Sequence, residues 1–166
     1  MMELESLIFN PIEEFTSIGP LFSSRMTKSN IRFCTFIDPN LPNKIKGDPH
    51  RVKQILSNLI GNAIKFTPEG GKIILEVTYT PQTQSIDFSV EDNGKGIAKD
   101  RQVHIFDAYT QEKGSTAREY GGTGLGLSIS QKLANLYGST LKVESEEGRG
   151  SRFYLTISLK DKIISE

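Results

Sequence analysis

The sequence has a single cysteine, Cys34, in 166 residues. One thiol allows no internal disulfide and no cysteine-based metal cluster. Its neighbours from Ile31 to Ile37 are β-branched and aromatic, so Cys34 is expected in a strand, as a packed core or sheet residue. An excess of charge of one sign is also missing. Lys+Arg and Asp+Glu both number 20, which argues against nucleic acid or another polyanion as the main partner. No apolar run approaches the ~20 residues that a membrane crossing needs. The start, Met1-Met2-Glu3-Leu4-Glu5, is acidic and lacks a signal-peptide pattern. These absences lead to the expectation of a soluble, cytoplasmic domain without direct membrane contact. Histidine is scarce as well. His50 and His104 are the only two, neither lies in a helical hairpin, and both read as surface or structural residues.

Hydrophobic residues make up 36% of the chain, low for a globular protein but well above a disordered tail. The length suits one domain, and about 70% of the unfolded surface should be buried on folding. Glycine is the informative residue. Twelve of its 15 copies are clustered: Gly61, Gly70 and Gly71; Gly94 and Gly96; Gly114, Gly121, Gly122, Gly124 and Gly126; Gly148 and Gly150. Such clusters mark tight turns or a close approach of backbone to a ligand.

Residues 7–9 read as a strand, and Asn10-Pro11 as the start of a helix to about Met26, with Glu13 and Glu14 near its positive end. A strand over 31–37 and a loop from Pro39 to Gly47 follow. Asp48-Pro49 opens the most regular helix, with Val52, Ile55, Leu56, Leu59, Ile60 and Ala63 on one face. Asn58, Asn62 and Lys65 form a separate stripe, and the helix ends near Thr67-Pro68. Residues 72–79 and 85–91 read as a hairpin whose second strand alternates Ile86, Phe88 and Val90 with polar residues, one face buried and one not. A short helix near 99–105 precedes the polar, glycine-containing segment 107–123, whose length without apolar period suggests a functional, mobile role. A helix through Leu125, Ile129, Leu133 and Leu136 and strands near 140–145 and 152–159 complete the order. The expected fold is α+β: a two-layer α/β sandwich with a mixed, mostly antiparallel sheet covered on one face by about three helices.

Three features carry chemistry. The glycine-rich helix start Gly122-Thr123-Gly124-Leu125-Gly126-Leu127 offers backbone amides and a helix dipole to phosphate. It is neither a G-x-x-x-x-G-K-[ST] loop nor a G-x-G-x-x-G turn between strand and helix. Asp92, at a strand end before Asn93-Gly94-Lys95-Gly96, is an acceptor for a donor in a pocket. Taken alone, it is equally a turn carrying an Asp. Asn58 and Asn62 lie mid-helix against propensity. A neutral amide oxygen suits magnesium, which takes few protein ligands plus phosphates and waters.

In combination these features resemble the ATP-binding catalytic domain of sensor, hybrid-type histidine kinases, in the superfamily of gyrase, mismatch-repair and heat-shock chaperone ATPases. Gln54 to Thr67 is similar to the family's N box, Asp92 to Gly96 to its first glycine box, and Ile105 to Gln111 to its F box. Gly121 to Leu127 is similar to its second glycine box, and Gly148 to Phe153 to its final glycine-containing strand. The resemblance implies a Bergerat-type fold binding ATP and Mg2+. It implies that Asn62 coordinates the magnesium, with Asn58 in support, and that Lys65 reaches a phosphate. Asp92 would accept from the adenine amine, with Ser151 linked through water and Phe66 and Ile97 beside the base. Gly94 and Gly96 belong to the same site. Gly122, Thr123, Gly124, Leu125 and Gly126 would wrap the phosphates beneath an ATP lid at 107–123, and Gln111 would stand near the γ-phosphate. In the hydrolysing branches of the superfamily a Glu occupies the position of Asn58 and activates water. An amide is no general base at neutral pH, so the expected reaction is phosphoryl transfer to a histidine on a dimerisation hairpin.

That hairpin and its His-Glu pair are absent, and Gly138-Ser139 stands where the family usually has Gly-Gly. The doubled initial methionine, and residues 1–10 as the junction with the missing hairpin, suggest a catalytic domain from a longer kinase, monomeric by itself and signalling to a response-regulator receiver domain. A non-catalytic interaction module and a Ser/Thr-directed kinase of the same superfamily are the competing expectations.

Overall fold

The computed structural model describes residues 3–107 and 125–164. The first strand, β1 (Leu7–Phe9), leads into α1 (Pro11–Thr16). The Asn10 carboxamide oxygen caps that helix by accepting from the Ile12 N–H at 2.9 Å. The expected single helix to Met26 is two, because α2 (Ile18–Lys28) starts afresh after Ser17. Pro20 is the physical reason: in a continuous helix its ring would strike the Thr16 carbonyl, whereas near the start of α2 it is tolerated.

Next come β2 (Arg32–Ile37), β3 (Ile45–Gly47) and α3 (Pro49–Phe66). The β3 strand lies in what reads as loop. It pairs antiparallel with β1, placing Phe9 opposite Ile45, in a small second sheet absent from the expectation. Asp48 caps α3, its Oδ1 accepting from the Arg51 N–H at 3.1 Å. The helix stops where Thr67, preceding Pro68, turns extended at φ −100°, ψ 123°. The apolar face is buried as its spacing predicts: Val52, Ile55, Leu56, Leu59, Ile60 and Ala63 all lie in the core. The four Leu and Ile side chains contribute about 1.5–3 kcal/mol each by burial.

The hairpin forms from β4 (Lys72–Thr80) and β5 (Ser85–Asp92). After α4 (Lys99–Gln102) come α5 (Leu125–Leu136), β6 (Lys142–Glu146) and β7 (Gly150–Ser158). The main sheet has the order β2-β4-β5-β7-β6, with β2 parallel to β4 and the other pairs antiparallel. Leu75 and Val77 of β4, Phe88 and Val90 of β5, and Leu155 of β7 turn to the helices and are buried. Phe15 of α1 meets Phe88 edge-on at 5.2 Å between ring centres. The polar face of β5 is less open than its alternation suggests. Ser89 is buried, because it sits mid-sheet between Glu76 and Tyr154. Cys34 is a sheet residue but not a packed one: β2 is the edge strand and leaves the thiol exposed.

Candidate functional site

One end of the main sheet gathers the sequence-marked residues. The last residue of β5 is Asp92, and it stands opposite Ser151 near the start of β7. Asp92 is only 5% exposed. Its Oδ1 accepts from the Gly94 N–H at 2.9 Å. Burial raises its pKa, against the lowering effect of the Gly94 and Ser151 backbone N–H groups. No cation pairs with it among the described residues.

The loop after Asp92 is held by close packing of the chain on itself. A Cβ on Gly94 would lie 2.2 Å from the Phe66 carbonyl oxygen, so only glycine lets this loop rest on the end of α3. Gly96 has φ +71°, and its Cβ would lie 2.1 Å from the Glu146 carbonyl oxygen. Lys95 is exposed, with its ammonium 5.8 Å from the centre of the Phe66 ring. Ile97 is half-buried, and its N–H donates to Ser145 Oγ at 2.8 Å. Ser145 Oγ also donates to the Gly150 carbonyl at 2.9 Å and lies 2.8 Å from Ser151 Oγ. The Gln102 carboxamide donates to the carbonyls of Ile97 and Ser145, at 2.7 and 3.1 Å.

Ser145 and Gln102 therefore fasten the Ile97 loop to β6 and β7. Sequence reasoning passes over both, since their partners are distant in the chain and a Ser in a strand or a Gln in a short helix carries no motif. Thr67 is another such residue. Its hydroxyl is buried and has no hydrogen-bond partner among the described residues, leaving a donor and an acceptor for a water or a ligand.

Asn58, Asn62 and Lys65 share one stripe of α3, as residues i, i+4 and i+7 must. The Asn58 Nδ2 donates to the Gly126 carbonyl at 3.3 Å and to Ser130 Oγ at 3.1 Å, which ties α3 to the start of α5. Asn62 is half-buried, and Lys65 is exposed at the helix end. No three His, Cys, Asp or Glu side chains among the described residues come together to hold a metal ion. A divalent cation here would take the Asn62 amide oxygen and complete its shell with phosphate and water, as magnesium does. The single carboxamide fits that role.

Gln111, Gly122, Thr123, Gly124 and the side chain of Leu125 lie outside the described residues, as do Ala108 to Thr110 and nearly all of the expected lid at 107–123. Within the F-box region Ile105 is buried, and Phe106 packs edge-on against Phe153 at 6.1 Å. His50 is exposed in the first turn of α3. His104 is exposed too, its Nδ1 3.1 Å from Asp107 Oδ2.

A sequence model of the histidine kinase-, DNA gyrase B-, and HSP90-like ATPases matches residues 47–161. The chain belongs to this ATPase family. Hybrid signal transduction histidine kinase B of Dictyostelium discoideum is 39% identical over 158 residues, covering 94% of the chain and 8% of that protein. The chain spans between 5% and 17% of the length of the curated relatives it matches. Full-length ShkA in complex with AMPPNP superposes with a TM-score of 0.81 at 30% identity, over 99% of this chain and 32% of that one. The isolated catalytic domain of the histidine kinase ThkA gives 0.77 at 31% identity, over 95% of this chain and 99% of that one. ThkA in complex with the response regulator TrrA gives 0.73 at 28% identity, over 94% and 42%. The ATPase domain therefore has the mixed α/β fold of histidine kinase catalytic domains. No helix among the described residues is long and apolar enough to cross a membrane.

Proposed function

We propose that this ATPase domain binds Mg-ATP at the Asp92 end of its sheet and, within its parent kinase, transfers the γ-phosphoryl group to a histidine on a separate helical hairpin. The observation that carries the reading is the buried Asp92 carboxylate. It accepts from backbone N–H groups of its own loop and its strand partner and has no cationic partner among the described residues. A carboxylate kept there against its desolvation cost suits a base that presents an exocyclic amine. Ser151, beside Asp92 and joined to Ser145, supplies a hydroxyl for a bridging water. Phe66 and Ile97 flank the base.

The carboxamide of Asn62 would hold the magnesium, Lys65 would meet a phosphate, and Gly122, Thr123, Gly124, Leu125 and Gly126 are assigned to the triphosphate. Gln111 is assigned to the γ-phosphate. Asn58 is committed through its Nδ2 to Gly126 and Ser130 and is no base for water. The domain accordingly keeps ATP for a better nucleophile. The acceptor is an imidazole, and the phosphoryl group passes on to a receiver domain. The hybrid kinase relative and the ThkA complex with a response regulator support that route. The domain itself works in the cytoplasm.

Titration of ATP into the wild-type domain and Asp92→Asn tests the base assignment. Loss of a charge-assisted hydrogen bond should weaken binding about 10- to 100-fold. Equal affinities would overturn it. With a hairpin supplied, the phosphoprotein should be acid-labile, as phosphohistidine is. An acid-stable product would favour a hydroxyl acceptor.

A further inference from the structure

Among the described residues two side-chain ties join α3 to α5, one of them at the nucleotide end. The other is made by Tyr137, one residue beyond α5. Its hydroxyl donates to the Asp48 carbonyl at 2.8 Å and accepts from the Asp48 N–H at 2.6 Å. A single phenol thus closes both backbone groups of the residue that caps α3. The first tie, from Asn58 to Gly126 and Ser130, sits at the opposite end of α5. About 15 Å of helix separates the two along α3 and about 16 Å along α5. Two ties so spaced on antiparallel helices fix their axial register, which one tie leaves free to slide or pivot.

Packing alone does not hold Tyr137. Its ring borders a cavity of about 250 Å³, lined also by Phe9, Phe15, Val52 and Phe88. It also rests against Gly47, another residue of the cavity lining, where an added Cβ would meet the hydroxyl at 3.4 Å. A ring beside open space has room to shift once its hydroxyl bonds are lost. Burial pushes the phenol pKa up to about 12, so the donor stays protonated through the physiological range.

We propose that Tyr137 is a positioning residue for the nucleotide's phosphates: by clasping Asp48 it fixes the register of α5 on α3, and so the placement of the Gly126 end of α5 relative to Asn62. This rests on the Mg-ATP reading above. The adenine side of the site, on β5 and β7, does not depend on α5, so loss of the clasp should discriminate between parts of the ligand.

The experiment measures dissociation constants for Mg-ATP and, by displacement of a fluorescent ATP analogue, for adenosine. The proteins are wild type, Asp92→Asn, Tyr137→Phe and Tyr137→Met. Both Tyr137 variants should bind ATP about five- to tenfold more weakly, the loss of two neutral hydrogen bonds, with adenosine changed by less than twofold. Asp92→Asn should weaken both ligands. ATP affinity unchanged in Tyr137→Phe, or ATP and adenosine weakened alike, overturns the clasp. So does a defect confined to Tyr137→Met, which would assign the effect to the ring and not the hydroxyl. Failure of the wild type to bind ATP would sink the nucleotide reading itself, a different result from any of these.

Discussion

Burial of Asp92 gives a prediction in which stability and binding part company. Its folded pKa is raised above the ordinary 3.8. The folded state therefore holds the proton more tightly than the unfolded chain does. This group's contribution to stability falls as pH rises from 3.8 through the raised folded value, and stays low above it. At neutral pH the ionised carboxylate is a cost. Asn at this position keeps an acceptor for the Gly94 N–H and removes the desolvated charge. The melting temperature of Asp92→Asn at pH 7 should equal or exceed that of the wild type, while its ATP affinity falls. Repeating the melts at pH 4 should shrink the difference. A lower melting temperature for the variant at pH 7 would count against the desolvation argument. Gly96 makes the opposite case. Alanine there meets both a positive φ and the Glu146 carbonyl. Gly96→Ala should cost about 2 kcal/mol or more, a fall of roughly 4–8 °C in melting temperature. Because Gly96 precedes Ile97, the variant should also weaken adenosine binding.

Among the elements, α3 joins the core to the site, one stripe buried and the next bearing Asn58, Asn62 and Lys65. Leu59, on the buried stripe, is 1% exposed. Leu59→Ala should destabilise by about 2–5 kcal/mol, seen as an earlier denaturant midpoint with an unchanged slope. A change in slope would point to a loosened folded or denatured state instead. This helix was legible in the sequence because its period, its Asp48-Pro49 start and its Thr67-Pro68 stop are local and agree with one another. The hairpin of β4 and β5 was legible for the same reason. What escaped depends on partners remote in the chain. The β1–β3 pairing joins segments separated by two helices and a strand. The break between α1 and α2 needed the Pro20 ring to be weighed against the Thr16 carbonyl. Cys34 is exposed because β2 lies at the sheet edge, and strand order is not written in any one strand. At the site, Asp92 and Asn62 stood out through a glycine-flanked strand end and an unfavourable mid-helix residue. Ser145, Gln102 and Tyr137 showed no such local sign, since each is defined by what folds onto it.

At the scale of the whole molecule, the question is what a site of this kind does with a bound triphosphate. Water attack on a phosphoanhydride is fast when a side chain orients or deprotonates the water. The α3 stripe offers carboxamides at 58 and 62 and an ammonium at 65, and the Nδ2 of Asn58 is already engaged with α5. Asp92, the buried carboxylate of the site, serves the base end in the proposed arrangement. Catalysis then consists of holding the phosphates in line and neutralising charge, which favours whichever nucleophile is brought to the γ-phosphorus. The domain alone should consume ATP slowly. Adding a helical hairpin that carries an accessible histidine should speed loss of the γ-phosphoryl group by at least about tenfold under matched conditions, a barrier change of about 1.4 kcal/mol. The label should appear on the hairpin, and Asn62→Ala should abolish its transfer while leaving adenosine affinity within about twofold, since a magnesium ion held by Asn62 would serve the phosphates and not the base. Radiolabelled ATP, with free phosphate and phosphoprotein counted separately, reads both outcomes. Rapid release of free phosphate by the domain alone would show that a water-activating group operates here, and the transfer reading would give way to a hydrolytic one.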